Sequence, residues 1–176
     1  MKSSTGNIQS LRASTEDTIQ NPEANWCSEE IFQKAYDSIH KHEGVVYAIY
    51  KDHLGHRTFG VGHLITIDDP EWFQPEGTTV NEDRVMDVYM DDLATAFTTV
   101  KRLVPDICSH PEDVQLVLTN MAFNLGQHRL SGFKRMLKAV EEKNYKLASV
   151  EMLDSRWAKQ VSRRANELSL MMESAQ

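Results

Sequence analysis

From Ser28 onward, apolar residues recur at helical spacing. Ile31, Phe32, Ala35, Tyr36 and Ile39 form one stripe, Ser28 is placed to cap the helix, and Glu29 and Glu30 sit at the positive end of its dipole. The pattern predicts a helix that ends near Lys41, just before Glu43. Between Gly44 and Ile67 the period changes. β-Branched and aromatic residues are interrupted by four glycines, and His53-Leu54-Gly55-His56 supplies a turn, which predicts a small antiparallel sheet. Asp68-Asp69-Pro70 and Gln74-Pro75-Glu76-Gly77 punctuate a loop carrying Trp72 and Phe73. Asn81 then caps a long helix to about Leu103, with Val85, Val88, Tyr89, Ala96, Phe97 and Val100 in register, and Pro105 stops it. Ser109 and Glu112 read as a capping box for a helix through Val114, Val117, Leu118, Met121 and Leu125 up to Gly126. Helices over 131–142, 144–153 and 160–172 follow, with Gly132, Asn144 and Ser155 near the breaks.

These elements divide the chain into an N-terminal helix and sheet lobe (26–80), a connecting helix (81–104) and a helical C-terminal lobe (105–176). Residues 1–25 are polar and aperiodic. They read as a flexible extension able to dock to an unknown partner, and they contain no apolar stretch that would serve as a secretory signal core. No apolar run approaches the roughly 20 residues that span a bilayer, so no stable membrane association is expected. Composition is that of a folded globular chain, 40% hydrophobic and 26% charged. The net charge of −7 argues against nucleic acid as a partner and leaves any polyanion to local contacts. Positive charge does gather at Arg156, Lys159, Arg163 and Arg164. Cys27 and Cys108 lack metal-ligand spacing and read as free thiols in a reducing compartment.

The segment that carries chemistry is short. Asp52 lies nine positions after Glu43, and Thr58 six positions further on. A carboxyl at a helix end, a second near a solvated turn and a hydroxyl on the next strand suit glycosidic-bond hydrolysis, which needs one acid for the leaving oxygen and one carboxylate for water or the sugar. Partial burial where helix meets sheet favours the protonated form and makes Glu43 the acid; a solvated Asp52 stays ionised as the base. Any one of 26 acids is by default a surface group, so spacing alone decides little.

The string itself decides more. Glu43-Gly44, Tyr50-Lys51-Asp52, Gly55, Thr58 and Gly60-Val61-Gly62-His63 together resemble the phage-type lysozymes of glycoside hydrolase family 24. So do Asn120-Met121-Ala122-Phe123-Asn124-Leu125-Gly126, Ser131-Gly132-Phe133, Ser155-Arg156-Trp157 and Arg164-Ala165, and the resemblance covers roughly residues 33 to 170. It implies an α+β lysozyme-like fold, in which a small antiparallel sheet lobe is joined by a long helix to a mainly helical lobe with a cleft between them. It also implies a muramidase that cuts the β-1,4 bond between N-acetylmuramic acid and N-acetylglucosamine with inversion. On this resemblance Glu43 is the proton donor, Asp52 and Thr58 hold the attacking water, Arg164 approaches the glutamate from the C-terminal lobe, and Leu64 and Phe123 contact the glycan. An inverting pair stands roughly 6.5–9.5 Å apart. His63 is assigned no proton-transfer role.

The expected partner is therefore bacterial peptidoglycan, with neither metal nor organic cofactor, and the expected state is a monomer. As an endolysin the chain would reside in the host bacterial cytoplasm before release to the wall. A virion-associated enzyme and a non-catalytic wall-binding module on the same fold are the alternatives. A transglycosylase would have less need of the Asp52 and Thr58 pair. Three features depart from the family pattern: Met136 and Glu151 stand at positions that hold small polar glycan contacts, the stretch between His63 and Asn81 is short, and the net charge is negative.

Overall fold

The computed structural model describes residues 26–175, so the expected N-terminal extension lies outside the described residues. Among the described residues, seven α-helices and a three-stranded antiparallel sheet make an α+β lysozyme-like fold. Helix α1 (Glu29–Glu43) is capped by Ser28, whose Oγ accepts from the Ile31 amide at 3.2 Å, and it buries Ile31, Phe32, Ala35 and Ile39. It runs two residues beyond the expected end, so that Glu43 is its last residue, and Gly44 at φ +69° turns the chain away.

Strands β1 (Val46–Lys51), β2 (Arg57–Gly60) and β3 (His63–Leu64) pair in the order β1-β2-β3. The register sets Tyr50 opposite Thr58 and Thr58 opposite Leu64, so these three share one face; Phe59 and His63 are paired and share the other. Residues 77–80 cover the outer edge of β1 through Gly77 N–H to Ile49 O, Ile49 N–H to Thr78 O and Val80 N–H to Tyr47 O. The loop before them contains a 3-10 turn, Pro70–Phe73.

Helix α2 (Glu82–Leu103) has 22 residues and so extends about 33 Å. Asn81 caps it, with Oδ1 accepting from Asp83 N–H at 2.7 Å. Its first turns put Val85 and Val88 into a small core with Ile49, Phe59, Ile65 and Val80. Its later turns put Tyr89, Leu93, Phe97 and Val100 into the large helical core. One helix thus belongs to both hydrophobic clusters and fixes the sheet lobe to the helical lobe.

Helix α3 (Glu112–Leu130) buries every residue from Val114 to Ala122. The expected capping box is corrected: Ser109 closes a separate 3-10 turn, Ile107–Ser109, and α3 starts directly after Pro111, whose fixed φ suits a first turn. Gly126, at φ +71°, leaves the helical conformation and breaks α3 into two helical segments, so the first of them ends at the glycine as expected. Helices α4 (Lys134–Glu141), α5 (Tyr145–Leu153), α6 (Arg156–Gln160) and α7 (Ser162–Ser174) complete the lobe. The short α6 departs from expectation. Ser155 lies at the break after α5, as expected, and caps α6, with Oγ accepting from Ala158 N–H at 3.0 Å.

The expectation of free thiols is also corrected: Cys27 and Cys108 form a disulfide, Cα to Cα 5.2 Å. It accompanies packing that spacing does not reveal. Trp26 stacks on Phe97 at 4.1 Å and meets Phe32 edge-on at 5.3 Å, drawing the start of α1 to the turn that follows α2. No described helix is long and apolar enough to cross a membrane.

Candidate active site

Glu43 ends α1, where backbone bonding is weakest, and other elements hold its side chain. Arg164 on α7 donates to Glu43 Oε1 at 2.7 Å, and Asn124 Nδ2 on α3 donates to the same oxygen at 3.4 Å. Asn124 Oδ1 in turn accepts from the Trp157 indole N–H at 2.8 Å. The ion pair is largely enclosed, with side-chain exposures of 21% for Glu43 and 10% for Arg164, which places a charge-assisted bond where solvent screens it little. Both of these donors fall on Oε1, which leaves Oε2 free of them.

Asp52 begins the turn after β1. Its Oδ1 accepts from the Leu54 and His56 amides, each at 2.8 Å, while the His56 ring lies 3.4 Å from Oδ2. Desolvation pushes the Asp52 carboxyl up, but the two amide N–H groups and the His56 ring outweigh it and hold the group below its ordinary range. Asp52 is therefore ionised, with Oδ2 the less engaged oxygen. Thr58 is buried in β2, and its Oγ1 donates to His56 O at 3.1 Å. With its single hydrogen committed, that hydroxyl offers lone pairs to a neighbour.

The turn Asp52–His56 and strand β2 are thus built as one unit, since His56 bonds to both Asp52 and Thr58. Tyr50, part of the Tyr50-Lys51-Asp52 motif but with no role expected from it, joins this unit from β1 on the same sheet face. Burial pushes its phenol up first, and the nearby Glu43 and Asp52 charges add to that, so it remains an O–H donor beside both carboxyls. Period-two alternation from Thr58 across β1 was the signal that could have found it.

Leu64 is 51% exposed on that face. Phe123, one residue before Asn124, is half-buried and meets Tyr89 edge-on at 5.7 Å. His63 lies on the opposite face between Asp92 (2.8 Å) and Asp69 (3.2 Å), away from the other candidates.

A cleft of about 840 Å³ opens between His53 and Leu54 on the sheet lobe and Phe133, Met136, Glu151 and Trp157 on the helical lobe. Glu43, Asp52 and Thr58 do not line it. They connect to it through His53, which follows Asp52, and through Trp157, which reaches Glu43 by way of Asn124. Met136 and Glu151 do line it; Met136 is buried, and Glu151 is engaged by Arg135 at 2.7 Å.

Comparison with known proteins fits this geometry. The family model described as phage lysozyme matches residues 40–170. The chain belongs to the phage lysozyme family. "Probable T4-type lysozyme 2" of Dictyostelium discoideum is 25% identical over 162 residues, with 78% of this chain and 92% of the relative covered. "Probable T4-type lysozyme 1" of the same organism is 26% identical over 156 residues, with the same coverage. Membership of the phage lysozyme family, with these relatives, supports a muramidase-like glycosidase function. The matched span runs from the last turn of α1 to within α7, so it takes in Glu43, the sheet, the cleft and Arg164.

Proposed function

We infer that the protein is a muramidase that hydrolyses the β-1,4 bond between N-acetylmuramic acid and N-acetylglucosamine in bacterial peptidoglycan, with inversion. The observation that carries this reading is the unequal bonding of the two carboxyls. Glu43 keeps Oε2 clear of donors, whereas Asp52 is held as an anion by two amides. In the proposed reaction Glu43 gives its proton to the glycosidic oxygen as the bond to the anomeric carbon breaks, and that oxygen keeps the bonding pair. A water attacks the anomeric carbon from the other face, donating one hydrogen to Thr58 Oγ1 and the other to Asp52 Oδ2, which takes the proton. Tyr50 O–H is available to either carboxyl.

Leu64 and Phe123 are the proposed glycan contacts from the sheet lip and the facing helix. The Cys27–Cys108 disulfide favours action outside a reducing cytosol, where peptidoglycan lies. Its proposed use is bacterial lysis as an endolysin that leaves the host cytoplasm for the wall; complementation of a lysis-defective phage separates this from a virion-borne enzyme.

The test is release of reducing ends and loss of turbidity from purified peptidoglycan, comparing the native chain with Glu43→Gln at equal folded concentration. Activity that falls by at least about 100-fold in the variant supports Glu43 as the acid. Equal activity in the two removes it from that role. An α-anomer seen by proton NMR in the first turnovers supports inversion, and a β-anomer refutes it.

A further inference from the structure

Next to the Glu43–Arg164 pair stands a second pair that the proposed chemistry does not use. His42 Nε2 lies 2.9 Å from Glu167 Oε2, and Asn120 Nδ2 lies 3.2 Å from His42 Nδ1. The residues run in parallel. On α1, His42 and Glu43 are adjacent; on α7, Arg164 and Glu167 are three apart and share a face; on α3, Asn120 and Asn124 are four apart and share a face. Asn120 and Glu167 hold His42, and Asn124 and Arg164 hold Glu43. The last two side chains of α1 are therefore each gripped by both α3 and α7.

This arrangement prevents a competing one. Glu167 is the carboxylate that Arg164 can reach along its own helix at i, i+3 spacing. The His42 hydrogen bond and then that of Arg163, at 3.1 Å, hold the Glu167 carboxyl below its ordinary range, so it is a full anion and a real competitor for the Arg164 guanidinium. A hollow of about 390 Å³, lined by Lys41, His42, Ser162, Arg163, Arg164 and Glu167, gives Arg164 room to turn. Arg163 is 88% exposed and grips Glu167 from solvent, whereas His42 is 15% exposed and approaches it from α1. We propose that His42 is a positioning residue for the acid: by occupying Glu167 it keeps Arg164 on Glu43.

The proposal rests on Glu43 being the acid, and the test keeps the two apart. In His42→Ala, Glu167 loses its partner on α1, Arg164 exchanges onto it, and Glu43 is left oriented by Asn124 alone. Because orientation of a catalytic group is lost while the cleft is untouched, kcat on peptidoglycan is expected to fall about 10-fold with KM within about twofold. In the double variant His42→Ala, Glu167→Gln the competitor charge is gone, and kcat recovers to within about threefold of native, a rescue that a merely structural role for His42 does not give. A crystal structure of His42→Ala, which does not depend on activity, is expected to show the Arg164 guanidinium on Glu167. Native kcat in His42→Ala, a double variant no faster than the single, or Arg164 still on Glu43 in the crystal each overturns the proposal. If His42→Ala fails to fold, His42→Leu fills the volume without a donor and reads the same exchange. Should Glu43→Gln remain active, the acid assignment falls, and the crystal structure still decides the exchange.

Discussion

Opening the Cys27–Cys108 disulfide should cost stability without costing activity. The bond closes a loop across a sequence separation of 81 residues. In the chain-entropy model, a closure of that length removes about 15 cal/mol/K from the unfolded chain, or roughly 4.5 kcal/mol at 25 °C. For a chain of this size each kcal/mol corresponds to about 2–4 °C, so reduction should lower Tm by ~9–18 °C. The site is remote from the bond, because Cys27 precedes α1 and Glu43 ends it, about 21 Å along a 15-residue helix. The assay is thermal and urea unfolding of the native chain with and without a phosphine reductant, beside a Cys27→Ser, Cys108→Ser variant. Initial rates of peptidoglycan hydrolysis at 25 °C complete it. A stability loss below about 1 kcal/mol in both the reduced and the substituted protein would refute the loop argument. A large loss of rate at a temperature where the protein stays folded would refute the separation of bond from site.

Two further outcomes follow from the sheet lobe. Desolvation pushes His63 down, but its bonds to Asp92 and Asp69 outweigh this and hold the imidazole above its ordinary value, so the folded state binds the proton more tightly. That stabilisation is fully present below the unfolded histidine value of about 6.5 and is lost as pH rises through the higher folded value. Between about pH 5.5 and 8.5 the native Tm should therefore fall more steeply than that of His63→Asn, and parallel curves would count against the network. Thr58→Val keeps shape and strand propensity but removes the hydroxyl; kcat should drop about 10- to 100-fold at nearly unchanged KM, and an undiminished kcat would take Thr58 out of the water site.

Much of the fold was legible because the decisive signals are local. Asn81 and Ser28 cap where a side-chain acceptor precedes an apolar stripe, and Tyr50, Thr58 and Leu64 share a face because strand residues alternate. The misses need contacts far apart in the chain. Cys27 meets Cys108 where Trp26 stacks on Phe97, and α3 starts at Glu112 because a 3-10 turn uses up Ser109 first. Within the site, the Arg164 approach to Glu43 came from the family resemblance, and the contact is present at 2.7 Å. The neighbouring His42–Glu167 pair spans 125 positions, and no local period reports it.

The charge cluster read from Arg156 to Arg164 shows how a sequence run dissolves into separate tasks. The break between α6 and α7 falls inside it, so the four cations cannot share one helix face. Arg156 lines the cleft, Arg163 holds Glu167, and Arg164 holds Glu43. With Arg156, the cleft wall also gathers Arg129, Lys134 and Arg135, set against Glu151 and Asp154, so it is locally positive in a chain whose net charge is −7. At physiological ionic strength charges are screened beyond about 8 Å, so the repulsion between an acidic protein and an anionic wall fades at distance while the cleft cations act at contact. Capture of the glycan then depends on which face meets the wall, and the negative net charge does not conflict with a wall-degrading role.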